Sequence, residues 1–327
     1  MQSKSMNTKD PNLISNVLLI LRSLGPLALI NALYFAVLTG IARYIGVSHI
    51  KKRVFNYHLY LDTSDKGLSR TLFLYGRREI DHYKMLQEIL KPEMQILDIG
   101  ANIGYYAIME SLAVGPSGKV IAIEPMLENI KTLKRNIGLN RAENVKVIHG
   151  AVSDSNGTGQ MFASSHSNLH TFHRDGSAFQ YLDSEPIEVP TMTLKAASEF
   201  STSQIELIRM DVEGHEVEIL RQLSKLVEQN VMAPKVIFET HLTRYHIKND
   251  FIPVLKNLFK LGYGVRIASS SNKSGTSRVS ELGYKGSTPF FSDFNERSIF
   301  RDLSHDHSID LICNTGGLRT VLLEQTR

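Results

Sequence analysis

The 327-residue sequence predicts an α/β fold: a doubly wound, mostly parallel sheet of seven strands with an N-terminal helical extension. Three observations carry this. Apolar runs near 95–99, 119–124, 145–148, 205–210, 235–239, 265–268 and 309–313 are separated by loops or by stretches of helical periodicity, the pattern of β-α-β units. The first run ends in Leu97-Asp98-Ile99-Gly100-Ala101-Asn102-Ile103-Gly104, an acid and a glycine turn running into a helical pattern at Tyr105. The length suits one α/β domain of about 200 residues plus additional segments.

Along the chain, residues 1–50 read as an apolar helical segment, 51–92 as a lead-in strand and helix, and 93–327 as the main domain. Residues 1–12 are polar and expected to be disordered, and 13–48 helical. No charged residue occurs from Ser23 to Ala42, a run just long enough to span a bilayer, although Gly25-Pro26 breaks its start and Asn31 and Thr39 dilute it. Three readings stay open: a helix pair packed on the main domain, a helix lying on a membrane surface, and a span. Lys51-Lys52-Arg53 reads as a solvated turn, and would attract anionic headgroups in either membrane reading. The expected location is cytoplasmic, with membrane association through residues 13–48 as the alternative.

A strand is expected over 54–61, a turn over 62–69, strand or helix over 71–75, and a helix over 79–90 that Pro92 ends. Within the main domain, helices are expected near 104–113, 127–139, 214–229 and 250–261. Residues 159–194 look like irregular short strands and loops, and Ser269–Ser280 like a mobile loop. The net charge of +4 comes with no long basic run interleaved with aromatics, so nucleic acid is not an expected partner. One cysteine, Cys313, excludes a disulfide framework, points to a reducing compartment, and sits in an expected core strand, Ile309–Cys313.

The glycine turn has the spacing D-x-G-x-N-x-G. This is neither the dinucleotide G-x-G-x-x-G nor the phosphate loop G-x-x-x-x-G-K-[ST]. A carboxylate at Asp98 would repel a pyrophosphate and suits a cationic, phosphate-free ligand. S-adenosylmethionine fits, with its sulfonium, α-ammonium and ribose diol. Val120-Ile121-Ala122-Ile123 ends in Glu124, placed to take hydrogen bonds from both ribose hydroxyls. A second constellation, Ile208-Arg209-Met210-Asp211-Val212-Glu213-Gly214-His215-Glu216, puts three acids and a histidine at the carboxyl edge of the sheet, where ligands bind. Asp211 and Glu213 read as site residues. Glu216 is as well explained by capping the following helix as by a site role.

With both clusters in view, the chain resembles the FkbM-type methyltransferase family. The match lies in Leu97–Tyr106, Ile123-Glu124-Pro125, Ala151-Val152-Ser153-Asp154 with Gly157, and Asp211–Glu216, and covers roughly residues 60–270. The resemblance implies a class I, Rossmann-like, S-adenosylmethionine-dependent enzyme that methylates hydroxyls on sugars, glycolipids or similar metabolites. It places Asp98, Gly100, Asn102 and Gly104 at the methionyl end, Glu124 at the ribose, Asp154 beside the adenine, and Asp211 and Glu213 at the transfer centre.

A sugar hydroxyl is a weak nucleophile and needs a base as the new bond forms. His241, just after the fifth strand, is the favoured base with Glu213 or Asp211 orienting it; His215 is expected on a helix surface. An acid pair with a histidine also suits a divalent metal, but the resemblance does not require one and no metal is assigned. His166, His170 and His173 read as part of a substrate-facing loop rather than a ligand set. The expected partner is a small-molecule or glycan acceptor. RNA or protein methylation and a non-catalytic cofactor-binding role are the alternatives, and an N-P-P-Y-like amine-methylation motif is absent after the fourth strand.

Overall fold

The computed structural model describes residues 21, 25–164, 166–167, 169–173 and 181–325. The disorder expected for residues 1–12 and the helix expected before residue 21 lie outside the described residues. The first half of the chain runs α1 (Pro26–Tyr44), β1 (His49–Val54), β2 (Tyr57–Asp62), α2 (Leu68–Tyr75), α3 (Ile80–Ile89), β3 (Gln95–Ile99), α4 (Tyr105–Val114), β4 (Lys119–Glu124), α5 (Leu127–Asn140) and β5 (Val145–His149). It continues with β6 (Ala151–Val152), β7 (Gly157–Ser164), β8 (Leu182–Met192), α6 (Leu194–Ser198), β9 (Leu207–Met210), α7 (Glu216–Glu228), β10 (Lys235–Glu239) and α8 (Ile252–Lys260). It ends with β11 (Tyr263–Ser270), α9 (Lys273–Glu281), β12 (Phe290–Ser292), β13 (Asn295–Arg297), β14 (Ile299–Leu303), α10 (His305–Ile309) and β15 (Leu318–Gln325).

The central sheet has the order β14-β11-β15-β10-β9-β3-β4-β5. Strands β5, β4, β3, β9 and β10 are parallel neighbours. Strand β15 inserts antiparallel between β10 and β11, and β14 adds an antiparallel edge. The parallel strands are apolar on both faces because helices cover both. One core layer, with Leu97, Ile121, Met210 and Phe238, packs towards α7 and α8. The other, with Ile96, Val120, Ala122 and Ile237, packs towards α4 and the β1–β2 hairpin.

The order 9-3-4-5 reverses direction at β3, so the carboxyl ends of β3 and β9 frame a switch-point crevice. Register sets Asp98 of β3 beside Arg209 of β9, which puts opposite charges side by side inside an otherwise apolar sheet.

The doubly wound sheet expected from the sequence is present, with eight strands rather than seven; the extra one is the edge strand β14. Several local expectations are corrected. Ile309–Cys313 is not a strand: it closes α10 and a π-turn over 310–314, and the last strand is β15. The run is apolar because one face of this turn is buried, and burial alone does not separate a short helix from a strand. Residues 54–61 are the end of β1, a turn and most of β2, a hairpin whose first strand includes Lys51-Lys52-Arg53. Lys52 is buried there, its ammonium 3.5 Å from the centre of the Phe35 ring and donating to the Phe73 carbonyl. Burial lowers its pKa to about 8.

The serine-rich stretch from 269 is the end of β11 followed by α9, whose first turn Asn272 caps through its side chain and the Gly275 N–H. Within the region expected to hold irregular short strands and loops, most of β7 and β8 pair into a small second sheet that β6, just before it, completes.

Helix α1 packs on α2 through Phe35 and Phe73, whose rings stack at 6.0 Å, with Ala32, Thr39 and Ala42 also turned inward. Leu27, Ile30, Tyr34, Val37, Ile41 and Tyr44, spaced alternately three and four apart, are exposed. Among the described residues no helix is long and apolar enough to cross a membrane.

Candidate active site

The cleft opens at the carboxyl ends of β3, β4 and β9. The turn after β3 forms its floor. Gly100 has φ +79°, and a Cβ there would lie 2.4 Å from the Asp211 carbonyl oxygen, so only glycine lets the two strand ends approach. Asn102 is also left-handed, at φ +51°. Its N–H donates to Glu124 Oε2 at 2.8 Å, while its side-chain amide donates to the Ser167 carbonyl at 2.7 Å.

Glu124 Oε1 accepts from the Met126 N–H and the Asn129 amide, both at 3.0 Å. Oε1 is then fully engaged, and Oε2 keeps one lone pair for another donor. Burial raises the Glu124 pKa to about 7 against these hydrogen bonds, so a further donor from a ligand would favour the charged form.

The segment 166–173 folds over this turn and holds it. Ser167 is anchored through its N–H and hydroxyl to the Asp65 carboxylate at 3.1 and 2.9 Å. Thr171 donates its hydroxyl to the Glu213 carbonyl at 2.9 Å. His170 lines the cleft with Nδ1 accepting from the Ser164 N–H at 3.0 Å, and burial lowers its pKa to about 4. His166 packs edge-on against Tyr181, and His173 lies beside His215. The three histidines of this segment therefore do not converge on one point.

On the other wall, the turn after β9 presents Asp211 and Glu213. Glu213 adopts φ +50°, strained for a residue with a Cβ, and Gly214 follows at φ +101° with Arg244 packed where a Cβ would sit. This turn brings Asp211, Glu213 and His241 together, with one ligating atom of each lying within 4.8 Å of the others. His241 Nε2 is 3.7 Å from Glu213 Oε2, 4.0 Å from Asp211 Oδ1 and 3.5 Å from Glu239 Oε1.

His241 Nδ1 lies 3.0 Å from Glu216 Oε1. The same oxygen accepts from the Val212 and Gly214 N–H groups at 3.3 Å. Glu216 thus does both things the sequence left open: it steadies the turn before its helix and it orients His241. The orienting partner is Glu216 rather than Glu213 or Asp211. Burial depresses the His241 pKa, but the Glu216 and Glu213 carboxylates outweigh it and hold the pKa well above the usual value. Burial and the Glu239 charge raise Asp211 to about 7 against the pull of Arg209.

The sequence-predicted residues separate into groups. Gly100, Asn102, Glu124, Asp211 and Glu213 line the cleft, with His241 directly behind the last two. Asp98 lies beneath the floor, fully buried, with Oδ1 3.2 Å from Arg209 Nη1. It supports the floor and does not open onto the cleft. Gly104 starts α4 at φ +92° and likewise supports the turn from below. Asp154 is exposed beyond the cleft, whose rim at this point is formed by Gly150, Ala151 and Val152. His215 is buried rather than on a helix surface, 3.2 Å from the Ser153 hydroxyl, and its pKa is lowered to about 4 by burial.

Sequence reasoning missed Arg209, Arg78 and Glu79. Arg209 spans Asp98 and Asp211 and stacks its guanidinium 4.1 Å from the Tyr106 ring. A lone arginine inside an apolar strand was the available signal, because such a charge requires a buried partner. Glu79 binds the Tyr106 hydroxyl at 2.6 Å and Arg78 Nε at 2.6 Å. It comes from a helix start that no local motif marks.

The chain is similar to known proteins. The Methyltransferase FkbM domain matches residues 98–265, just over half of the chain. A protein-L-isoaspartate O-methyltransferase of Methanothrix thermoacetophila is 36% identical over 61 residues, which is 19% of this chain and 29% of that protein. Among solved structures, M. jannaschii TYW2 in complex with AdoMet is similar with a TM-score of 0.41 at 13% identity, over 85% of this chain and 87% of that one. Aeropyrum pernix fibrillarin with bound S-adenosyl-L-methionine is similar with a TM-score of 0.35 at 11% identity, over 69% and 75%. A glycine turn after β3, an acid at the tip of β4 and the D-x-E-G-x-E turn after β9 all fall inside the matched region, and the chain belongs to the FkbM family of S-adenosylmethionine-dependent methyltransferases.

Proposed function

We propose that the protein transfers a methyl group from S-adenosylmethionine to a hydroxyl oxygen of a small metabolite or glycan. One observation carries this reading: Glu124 and the Asp211–Glu213 pair line a single cleft. The nucleoside would lie along the Glu124 wall. One of its ribose hydroxyls would donate to Glu124, its adenine would lie against the backbone at Gly150–Val152, and its methionyl end would rest on the turn at Gly100–Asn102. This aims the sulfonium methyl towards Asp211, Glu213 and His241.

The transfer is an in-line displacement on carbon with a neutral thioether leaving. The protein's first task is therefore to hold oxygen, methyl and sulfur in line. Its second is to receive the proton of the attacking hydroxyl; an ionised Asp211 or Glu213 would take it, since the carboxylates around His241 keep its imidazole charged. An acidic surface at the transfer point favours a polar hydroxyl acceptor. The acceptor would enter between the 166–173 segment and the Arg78–Glu79 corner.

The test is calorimetric titration with S-adenosylmethionine and its demethylated product, followed by transfer of a radiolabelled methyl group to sugar, glycolipid, RNA and protein fractions. Binding with label in a sugar or lipid fraction supports the reading. Label confined to RNA or protein removes the acceptor assignment, and the absence of binding by either nucleoside removes the enzyme.

A further inference from the structure

The geometry points to a binding site for one divalent cation of the magnesium or manganese type, formed by Asp211 Oδ1, Glu213 Oε2 and His241 Nε2. Its role in orienting the acceptor hydroxyl rests on the reading of this cleft as the methyl-transfer centre.

Each residue of the trio has a second atom or its backbone held by the protein while a ligating atom points into the shared space. Asp211 Oδ2 faces Arg209 Nη2 at 3.6 Å, which leaves Oδ1 free. His241 Nδ1 is taken by Glu216 Oε1 at 3.0 Å, which fixes the ring and turns Nε2 towards the shared space, where a cation would take the place of its proton. Glu213 is held through its carbonyl by the Thr171 hydroxyl. Asp211 Oδ1 and His241 Nε2 are both shielded from solvent and have no hydrogen-bond partner among the described residues. The His241 side chain is 11% exposed. Buried polar atoms are rarely left in this condition, and each instance calls for a ligand or ion.

The spacing is suitable. A magnesium ion with ligands about 2.1 Å away sets neighbouring ligand atoms about 3 Å apart and opposite ones about 4 Å apart. The 3.7 and 4.0 Å separations from Nε2 fall in that range. A carboxylate held against a histidine that uses its other nitrogen for metal is the recurring outer layer of metal centres, and Glu216 supplies it here. With no thiolate, the two carboxylates suit magnesium or manganese, and the imidazole tilts the choice away from magnesium. Glu239 Oε1 lies 3.5 Å from Nε2 and is also paired with Arg319. The positions left open on the cation face the cleft, where a hydroxyl oxygen would complete the shell and be drawn into line with the incoming methyl group.

The experiment uses the full chain treated with EDTA and dialysed, then titrated with manganese chloride by calorimetry and by electron paramagnetic resonance of the free ion. The expected result is one saturable site. Asp211→Asn and His241→Ala should each weaken it at least tenfold, and Glu216→Gln should weaken it about 10- to 100-fold, the scale for an outer-layer partner. Glu213→Gln, in a loop on the cleft wall, provides a further ligand variant should another fail to fold, with far-UV circular dichroism as the check.

No saturable manganese site, or a site of unchanged affinity in all the folded variants, overturns the inference. S-adenosylmethionine is titrated into the same metal-free protein. If the nucleoside binds and manganese does not, the inference fails and the methyltransferase reading stands. If manganese binds and the nucleoside does not, the cation site stands and the reading of its role falls.

Discussion

Two buried carboxylates, Asp81 and Asp211, show how differently this fold treats a charge. Asp81, at the start of α3, is fully buried. It accepts from the Ser292 hydroxyl at 2.6 Å, from the Ser269 hydroxyl at 2.6 Å, from Arg297 at 2.8 Å and from the Thr320 hydroxyl at 3.3 Å. Burial alone would raise its pKa, but Arg297 and the two serines outweigh it and hold the pKa below the usual value. Asp211, at the tip of β9, has one oxygen 3.6 Å from an arginine and the other unpartnered, and its pKa is raised to about 7 by burial and by Glu239. Asp81 pins α3, the β12–β13 hairpin, β11 and β15 together. Asp211 is left under-satisfied at the cleft, where the proposed reaction would use it. For these two acids, the number of donors tracks whether the carboxylate ties elements together or faces the cleft.

The comparison can be broken most severely at Asp81. Asp81→Ala leaves buried Arg297 with only Asp293, 3.7 Å away, as counter-charge, and should cost about 3–5 kcal/mol of folding stability, read from the midpoint of urea denaturation. Asp211→Asn should do the reverse. Stability should hold within about 1 kcal/mol, because a repulsive charge is lost, while methyl-transfer turnover falls about a hundredfold or more. An Asp211 variant that unfolds, or an Asp81 variant of unchanged stability, would dissolve the distinction.

Glu124 is intermediate, with three protein donors and room for a ligand. Glu124→Ala should weaken S-adenosylmethionine binding by about 1–3 kcal/mol in calorimetry. Its pKa of about 7 in the folded protein lies above the unfolded value. The native state therefore holds an extra proton between the two values, and in the absence of cofactor this group's contribution to stability falls as pH rises through that window. Ribose donors favour the ionised form, so cofactor affinity should rise from pH 6 to 8, a trend that Glu124→Gln should flatten. The smallest effect is expected at Asp154, exposed beyond the rim. Asp154→Ala should change cofactor affinity by no more than about 0.5 kcal/mol, the scale of a surface substitution.

The parallel half of the fold was legible because its signals are local. Apolar runs that end in Asp98 and Glu124, helices of clear period, and glycines at forced backbone angles each depend on near neighbours in the chain. The antiparallel half was not. Ile309–Cys313 and the Ser269–Ser280 stretch misled because a short apolar run and a polar helix look the same in sequence as a strand and a loop. Which one forms depended on the hairpin partner and on the sheet edge they met.

The sequence by itself determined the cofactor corner and the acidic turn, since spacing within ten residues fixes which groups stand at a strand end. Only the tertiary structure decided what those groups do. It sent Asp98 under the floor to Arg209, turned Glu216 into the support of His241, and left Asp211 Oδ1 and His241 Nε2 facing each other unpaired. Burial and partner count are properties of segments that meet across long stretches of chain, and no local pattern records them.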